Sequence, residues 1–147
     1  MGARNSQIPY WIMRIAFALV FAINVQCALS FIVWPEAYLS AYELEGVSGV
    51  AAVQGIGVAF LMWNVTYLPV IISPRKYWMV AYIVLIQQAV GLVGESYILW
   101  TLPVGHEVLG ASIERFISFD AAGFVLMALA VALAKVKKPF AGSNEKR

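Results

Sequence analysis

Glu95 and Asp120 are acidic residues set inside long apolar stretches, and they are where chemistry is expected. Glu95 belongs to residues 77–100, YWMVAYIVLIQQAVGLVGESYILW, a run without proline whose other ionisable side chains are all tyrosines. Gln88 precedes it by seven residues, two helical turns, so the two share a face with Gly91 between them. A carboxylate at membrane depth costs about 2.5–3.5 kcal/mol on insertion scales, so it belongs against a partner or a wet cavity. Two roles are open to Glu95. It can accept a proton or anchor the polar head of a lipophilic ligand; or it can set helix register through a hydrogen bond to Gln54 or a pair with Arg115. Asp120 shares a helical face with Phe116, Gly123, Phe124 and Met127, and Arg115 points about 140° away from it at the helical period. Glu95 and Asp120 are therefore the candidate general acid and base. Gln54, Gln88, Arg115, Asn24 and Glu114 complete the candidate ligand-binding set.

The composition says what kind of element must hold these groups. Of 147 residues 62% are hydrophobic and 12% charged, against about 45–50% and 25% in soluble domains. The chain reads as a single all-α domain, an integral membrane four-helix bundle over residues 1–138, with a polar tail over 139–147. Four spans are expected, at residues 9–34, 50–72, 77–100 and 112–134, each near the roughly 20 residues a bilayer requires. The first is too long for a signal-peptide core and no A-x-A site follows it, so it is expected to remain as an uncleaved helix.

The intervening stretches differ in character. Residues 35–49, PEAYLSAYELEGVSG, are too polar to span; they read as a short amphipathic turn closed by Gly46, or equally as a solvated loop with two buried tyrosines. Ser112 reads as the N-cap of the fourth helix. Pro69 is placed to bend the end of the second, and the short SPRK link makes the second and third helices antiparallel neighbours. Ala51, Gly55 and Ala59 form a small-residue row of the kind that lets helices approach closely in lipid, the natural face for self-association. Arg14, one turn inside the first span, is expected to snorkel to the nearer surface.

Charge placement predicts orientation. Arg4, Arg14, Arg75, Lys76, Lys135, Lys137, Lys138, Lys146 and Arg147 fall on one side of a four-span layout, and Arg115 alone falls toward the other. That asymmetry puts both termini in the cytoplasm of a bacterial-type inner membrane. At about 1.5 Å per residue, Glu95, Asp120, Arg115 and Gln54 then lie roughly 5–12 Å outward of their helix midpoints. Asn24 falls in the same half. Polar groups from all four helices thus share one level, and a polar pocket opening outward follows if their faces converge.

Several chemistries are excluded. The single cysteine, Cys27, admits no intramolecular disulfide or CxxC pair, and the single histidine, His106, cannot pair with another in the chain, so no metal site is expected. The net charge of +2, without a basic stripe, gives no reason to expect nucleic acid as a partner. Membrane lipid, further membrane subunits or a second copy are the expected partners. No resident cofactor is expected, a quinone or a lipid being the candidate ligands.

An early arginine in the first helix (Arg14), a proline opening the outer loop (Pro35), a glycine-bearing second helix (Gln54-Gly55-Ile56-Gly57), and acidic residues late in the third helix and early in the fourth resemble the DoxX-like group of small bacterial membrane proteins. That group often carries a basic residue near the start of the second helix, where Gln54 stands here. The resemblance implies a four-helix membrane fold and an association with membrane redox chemistry. Two functions are therefore expected: a small membrane subunit or ligand-binding module that is not catalytic by itself, or a membrane enzyme or quinone-linked subunit using the buried carboxylates on a lipophilic substrate.

Overall fold

A computed structural model describes residues 7–136. The tail expected over 139–147, together with Arg4, Lys137, Lys138, Lys146 and Arg147, lies outside them. The described chain is all helical: α1 (Ile8–Val33), α2 (Glu36–Leu39) running into a 3-10 turn (Ser40–Tyr42), α3 (Gly46–Asn64), α4 (Tyr67–Ile72), α5 (Trp78–Thr101) and α6 (Glu107–Val136). Four stretches are long and apolar enough to cross a membrane: α1, α3 with α4, α5 and α6. Only 17–28% of the most apolar window of each is buried within the chain, so the outer surface is itself hydrocarbon-like. Ile15, Leu19, Met62, Val90, Val93 and Leu129 are all exposed. Water would not support that surface; lipid does.

Three boundaries depart from the expectation, each for a local reason. The second span starts at Gly46 rather than at residue 50, because Gly46 takes a left-handed φ of +61° that turns the chain into the helix instead of closing the preceding turn. It then breaks between Asn64 and Tyr67. Pro69 has no N–H to offer the Val65 carbonyl one turn earlier, and its ring crowds that carbonyl; the backbone responds with tighter bonds from Thr66 N–H to Trp63 O and from Leu68 N–H to Val65 O. The fourth span begins at Glu107, five residues before Ser112. Ser112 is no N-cap but a buried residue within the helix. The N-terminal cap arrives from elsewhere in the fold: Glu43 Oε1 accepts the Leu109 N–H at 3.3 Å.

The helices form a ring in which α1 packs against α3, α4 and α6, α5 against α6, and α4 against α5. The expected antiparallel contact between the second and third spans is thus made by α4. Below the break the ring is solid. Met13, Phe17, Val20, Val70, Val84, Met127 and Val131 form one core there. Arg14 does more than snorkel at this end: its Nη2 donates to the Ile72 carbonyl at 2.7 Å, satisfying the last carbonyl of the second span with a cation at the negative end of the helix dipole. Above the break α3 leans on α1, where Gly57 lets the backbones meet: a Cβ there would stand 2.7 Å from the Ala28 carbonyl oxygen. The Ala51, Gly55 and Ala59 row makes none of this contact and is exposed.

Candidate functional site

With α3 drawn toward α1, the upper half of the bundle holds a cavity of about 390 Å³. From Ser112 to Asp120 along α6 its wall extends about 12 Å at the helical rise. Its sides are aromatic. Phe31, Phe60 and Phe116 meet at centroid separations of 6.1–6.3 Å, and Trp63 stands edge-on to Phe60 at 6.3 Å. The segment 36–42 closes the top, contributing Ala37, Tyr38, Ala41 and Tyr42 to the wall. Tyr38 stacks edge-on against Phe31 at 4.5 Å, which holds this strap down. Burial above all, with Cys27 and Glu95 nearby, pushes the Tyr42 hydroxyl well above the usual tyrosine range, so it is a neutral phenol.

The floor is polar and draws one group from each span: Asn24, Asn64, Gln88 and Asp120. Beneath it runs a buried hydrogen-bond chain in which the Tyr67 hydroxyl donates to Gln88 Oε1 at 3.0 Å and Gln88 Nε2 donates to the Asp120 carbonyl at 3.4 Å. Gln88 is only 2% exposed, so these bonds satisfy a group that has no water to turn to. Asn64 Nδ2 donates to the Phe60 carbonyl at 2.7 Å, one turn back in its own helix. Its Oδ1 has no partner, although Asn64 is 3% exposed.

Of the residues singled out from sequence, Asn24, Gln88, Arg115 and Asp120 line the cavity. The other three do not. Gln54 donates to the Ile32 carbonyl at 3.1 Å, tying α3 to α1 where the helix end frees that carbonyl. Glu114 is exposed, on the far side of α6. Glu95 stands beside the site without forming part of its wall: Gly91, one turn earlier, is the α5 residue against Trp63 and Asp120. The expected partners of Glu95 are also not found. Arg115 Nη2 reaches Ser112 Oγ at 3.5 Å, Gln54 is committed to α1, and one Glu95 oxygen is buried with no hydrogen-bond partner. The charges of Glu95 and Asp120 nevertheless lie close enough to interact.

What the sequence reading missed is the hydrophobic part of the site. Phe31, Phe60, Trp63, Phe116 and Phe119 look like ordinary span residues, and only their convergence with Asn64 and Cys27 makes a cavity wall. The expectation of a polar pocket is corrected accordingly to an aromatic cavity with a polar floor. His106 has a role that its isolation concealed. Its Nδ1 contacts the Glu43 carboxylate across the two upper connections. Glu43 adopts a left-handed φ of 52° to make that contact and to cap α6. The imidazole and the Leu109 N–H hold its carboxyl below the ordinary value of 4.5.

The arrangement can enclose an elongated apolar molecule and hydrogen-bond one end of it. Of the two candidate carboxylates, only Asp120 lines the cavity. Comparison with known proteins finds no matching family model, no similar curated protein and no similar solved structure, so the geometry alone carries the functional argument.

Proposed function

We propose that this protein is a small membrane ligand-binding module, not catalytic by itself, whose aromatic cavity holds a lipophilic molecule with its polar end on the Asp120 floor. The observation that carries the reading is the division of the bundle: a packed core below the α3–α4 break and, above it, a cavity with aromatic sides and a polar floor supplied by all four spans. Structural carboxylates need only a partner; a cavity of this size beside one is what a ligand needs. The catalytic alternative is weaker, because Glu95 stands off the wall and leaves Asp120 as the one carboxylate lining it.

In this reading the chain sits in a bacterial-type inner membrane with both termini cytoplasmic. The basic residues Arg14, Arg75, Lys76 and Lys135 lie toward the core end of the bundle, and the cavity lies in the outer half. The exposed Ala51, Gly55 and Ala59 row is the proposed face for a second copy or another membrane subunit. The DoxX-like resemblance agrees with this architecture, and a quinone or a lipid remains among the ligands it would suggest.

Cys27 tests the central claim. It is the only cysteine in the chain and lines the cavity. Small molecules retained by the purified protein are identified by mass spectrometry, stripped and added back, and the rate of Cys27 modification by a small neutral thiol reagent is followed. Occupancy should slow modification severalfold. A rate indifferent to every retained molecule would mean the cavity is not a ligand site.

A further inference from the structure

The floor of the cavity can be read as an inventory of donors and acceptors. The hydroxyl of Tyr67 is spent on Gln88, an N–H of Gln88 on the Asp120 carbonyl, and an N–H of Asn64 on Phe60. Asn24 lies within reach of that same Tyr67 hydroxyl. Two acceptors face this space: the Asp120 carboxylate, on the cavity wall and also taking a side-chain bond from Gln88, and Asn64 Oδ1, unpartnered on a residue 3% exposed. A ligand whose polar end offers only carbonyl oxygens would leave these two acceptors without a donor, at the cost of their desolvation. A donor at the ligand's end would satisfy both acceptors.

Charge narrows the class further. Among the described residues no cation is found within ion-pairing distance of Asp120. Glu95 adds a second carboxylate close by. Arg115, the one basic residue on the wall, lies about 7 Å further up α6 at the helical rise and turns to Ser112. Around the floor stand the faces and edges of Trp63, Phe60 and Phe116, the side chains that favour a desolvated cation.

Resting on the ligand-binding reading above, we infer that the cavity takes a lipophilic amine, bound as its ammonium ion with the charge on Asp120 and the apolar body between the aromatic walls. A neutral alcohol of the same shape satisfies the acceptors without the charge, and a carboxylic acid meets the wrong sign.

The test uses the full chain in nanodiscs of zwitterionic lipid at pH 7. Three probes share one apolar body: 4-phenylbutylamine, 4-phenylbutan-1-ol and 4-phenylbutyrate. Each is titrated against modification of Cys27 by methyl methanethiosulfonate. The amine should half-protect at a concentration at least tenfold below the alcohol, and the acid should not protect. Asp120→Asn should weaken the amine at least tenfold and bring it to the alcohol's value measured in the same variant. Protection by the alcohol or the acid equal to that by the amine would overturn the amine assignment and leave the ligand site standing. Cys27 modified at the same rate with all three probes would overturn both. The wild-type comparison decides by itself if the variant does not fold.

Discussion

At the scale of single residues, what separates structural from functional positions here is the space beside them. Gly57 and Gly94 both sit within apolar spans, yet their environments are opposites. A Cβ at Gly57 would stand 2.7 Å from the Ala28 carbonyl oxygen and 2.8 Å from Ile32 Cγ1, and a backbone oxygen cannot yield as a flexible side chain can. At Gly94 it would meet nothing within 4 Å. Gly57→Ala should therefore destabilise by about 1–3 kcal/mol through overpacking, whereas Gly94→Ala should be neutral or stabilise by about 0.5–1 kcal/mol through helix propensity. Thermal unfolding of the two variants in the same detergent checks this. Equal effects would mean that α1 and α3 are not in backbone contact.

At the scale of elements, the strap over the cavity is the part with a condition attached. Residues 36–42 run between Pro35 and the left-handed turns at Glu43 and Gly46, and Glu43 fastens them by its contacts with His106 and Leu109. Because those contacts lower the carboxyl from its ordinary 4.5, their contribution is complete above that value and is lost as pH falls through the lowered value in the folded protein. Below pH 4.5 the strap should loosen and Cys27 beneath it should be modified faster relative to a free small thiol reacted at the same pH. Glu43→Gln should show the faster rate already at neutral pH and little further change on acidification. An acid response undiminished in Glu43→Gln would assign it to other carboxylates. The same scale explains the helix break: one proline at the level of α4 releases α3 toward α1 above it, and the cavity follows from that geometry.

At the scale of the whole molecule, the aromatic residues mark two levels. Trp11 lies near one end of the bundle, and Trp34 and Trp100, 64% and 81% exposed, lie near the other. Trp11 and Trp34 are separated by about 35 Å along a helix, which matches a hydrocarbon core of about 30 Å with its interfaces. In a Cys27→Ser background, Ser40→Cys should react with an impermeant thiol reagent added outside intact cells, and Lys76→Cys only after permeabilisation; the reverse pattern would invert the orientation. The exposed small-residue row makes the assembly testable too. Gly55→Leu adds bulk where the chain itself has nothing within 4 Å, so it should leave the monomer folded and reduce the mass of any complex measured by light scattering. An unchanged mass would rule out that face as the contact.

Length, hydropathy and proline placement determined the four apolar spans and their polar connections from the sequence alone, because a bilayer's thickness and its lack of hydrogen-bonding partners constrain each helix independently of its neighbours. The level of Asn24, Arg115 and Asp120 was legible for the same reason, since rise per residue converts sequence position into depth. Which faces meet was not. Rotation of each helix is set by contacts such as Gly57 against Ala28 and by the break that Pro69 imposes, and these removed Gln54, Glu114 and Glu95 from the wall while bringing in Trp63, Asn64 and the phenylalanines. The partnership of Glu43 with His106, 63 positions apart, is likewise a product of the tertiary structure. Depth follows from counting along one helix, whereas a site is a relation between four of them.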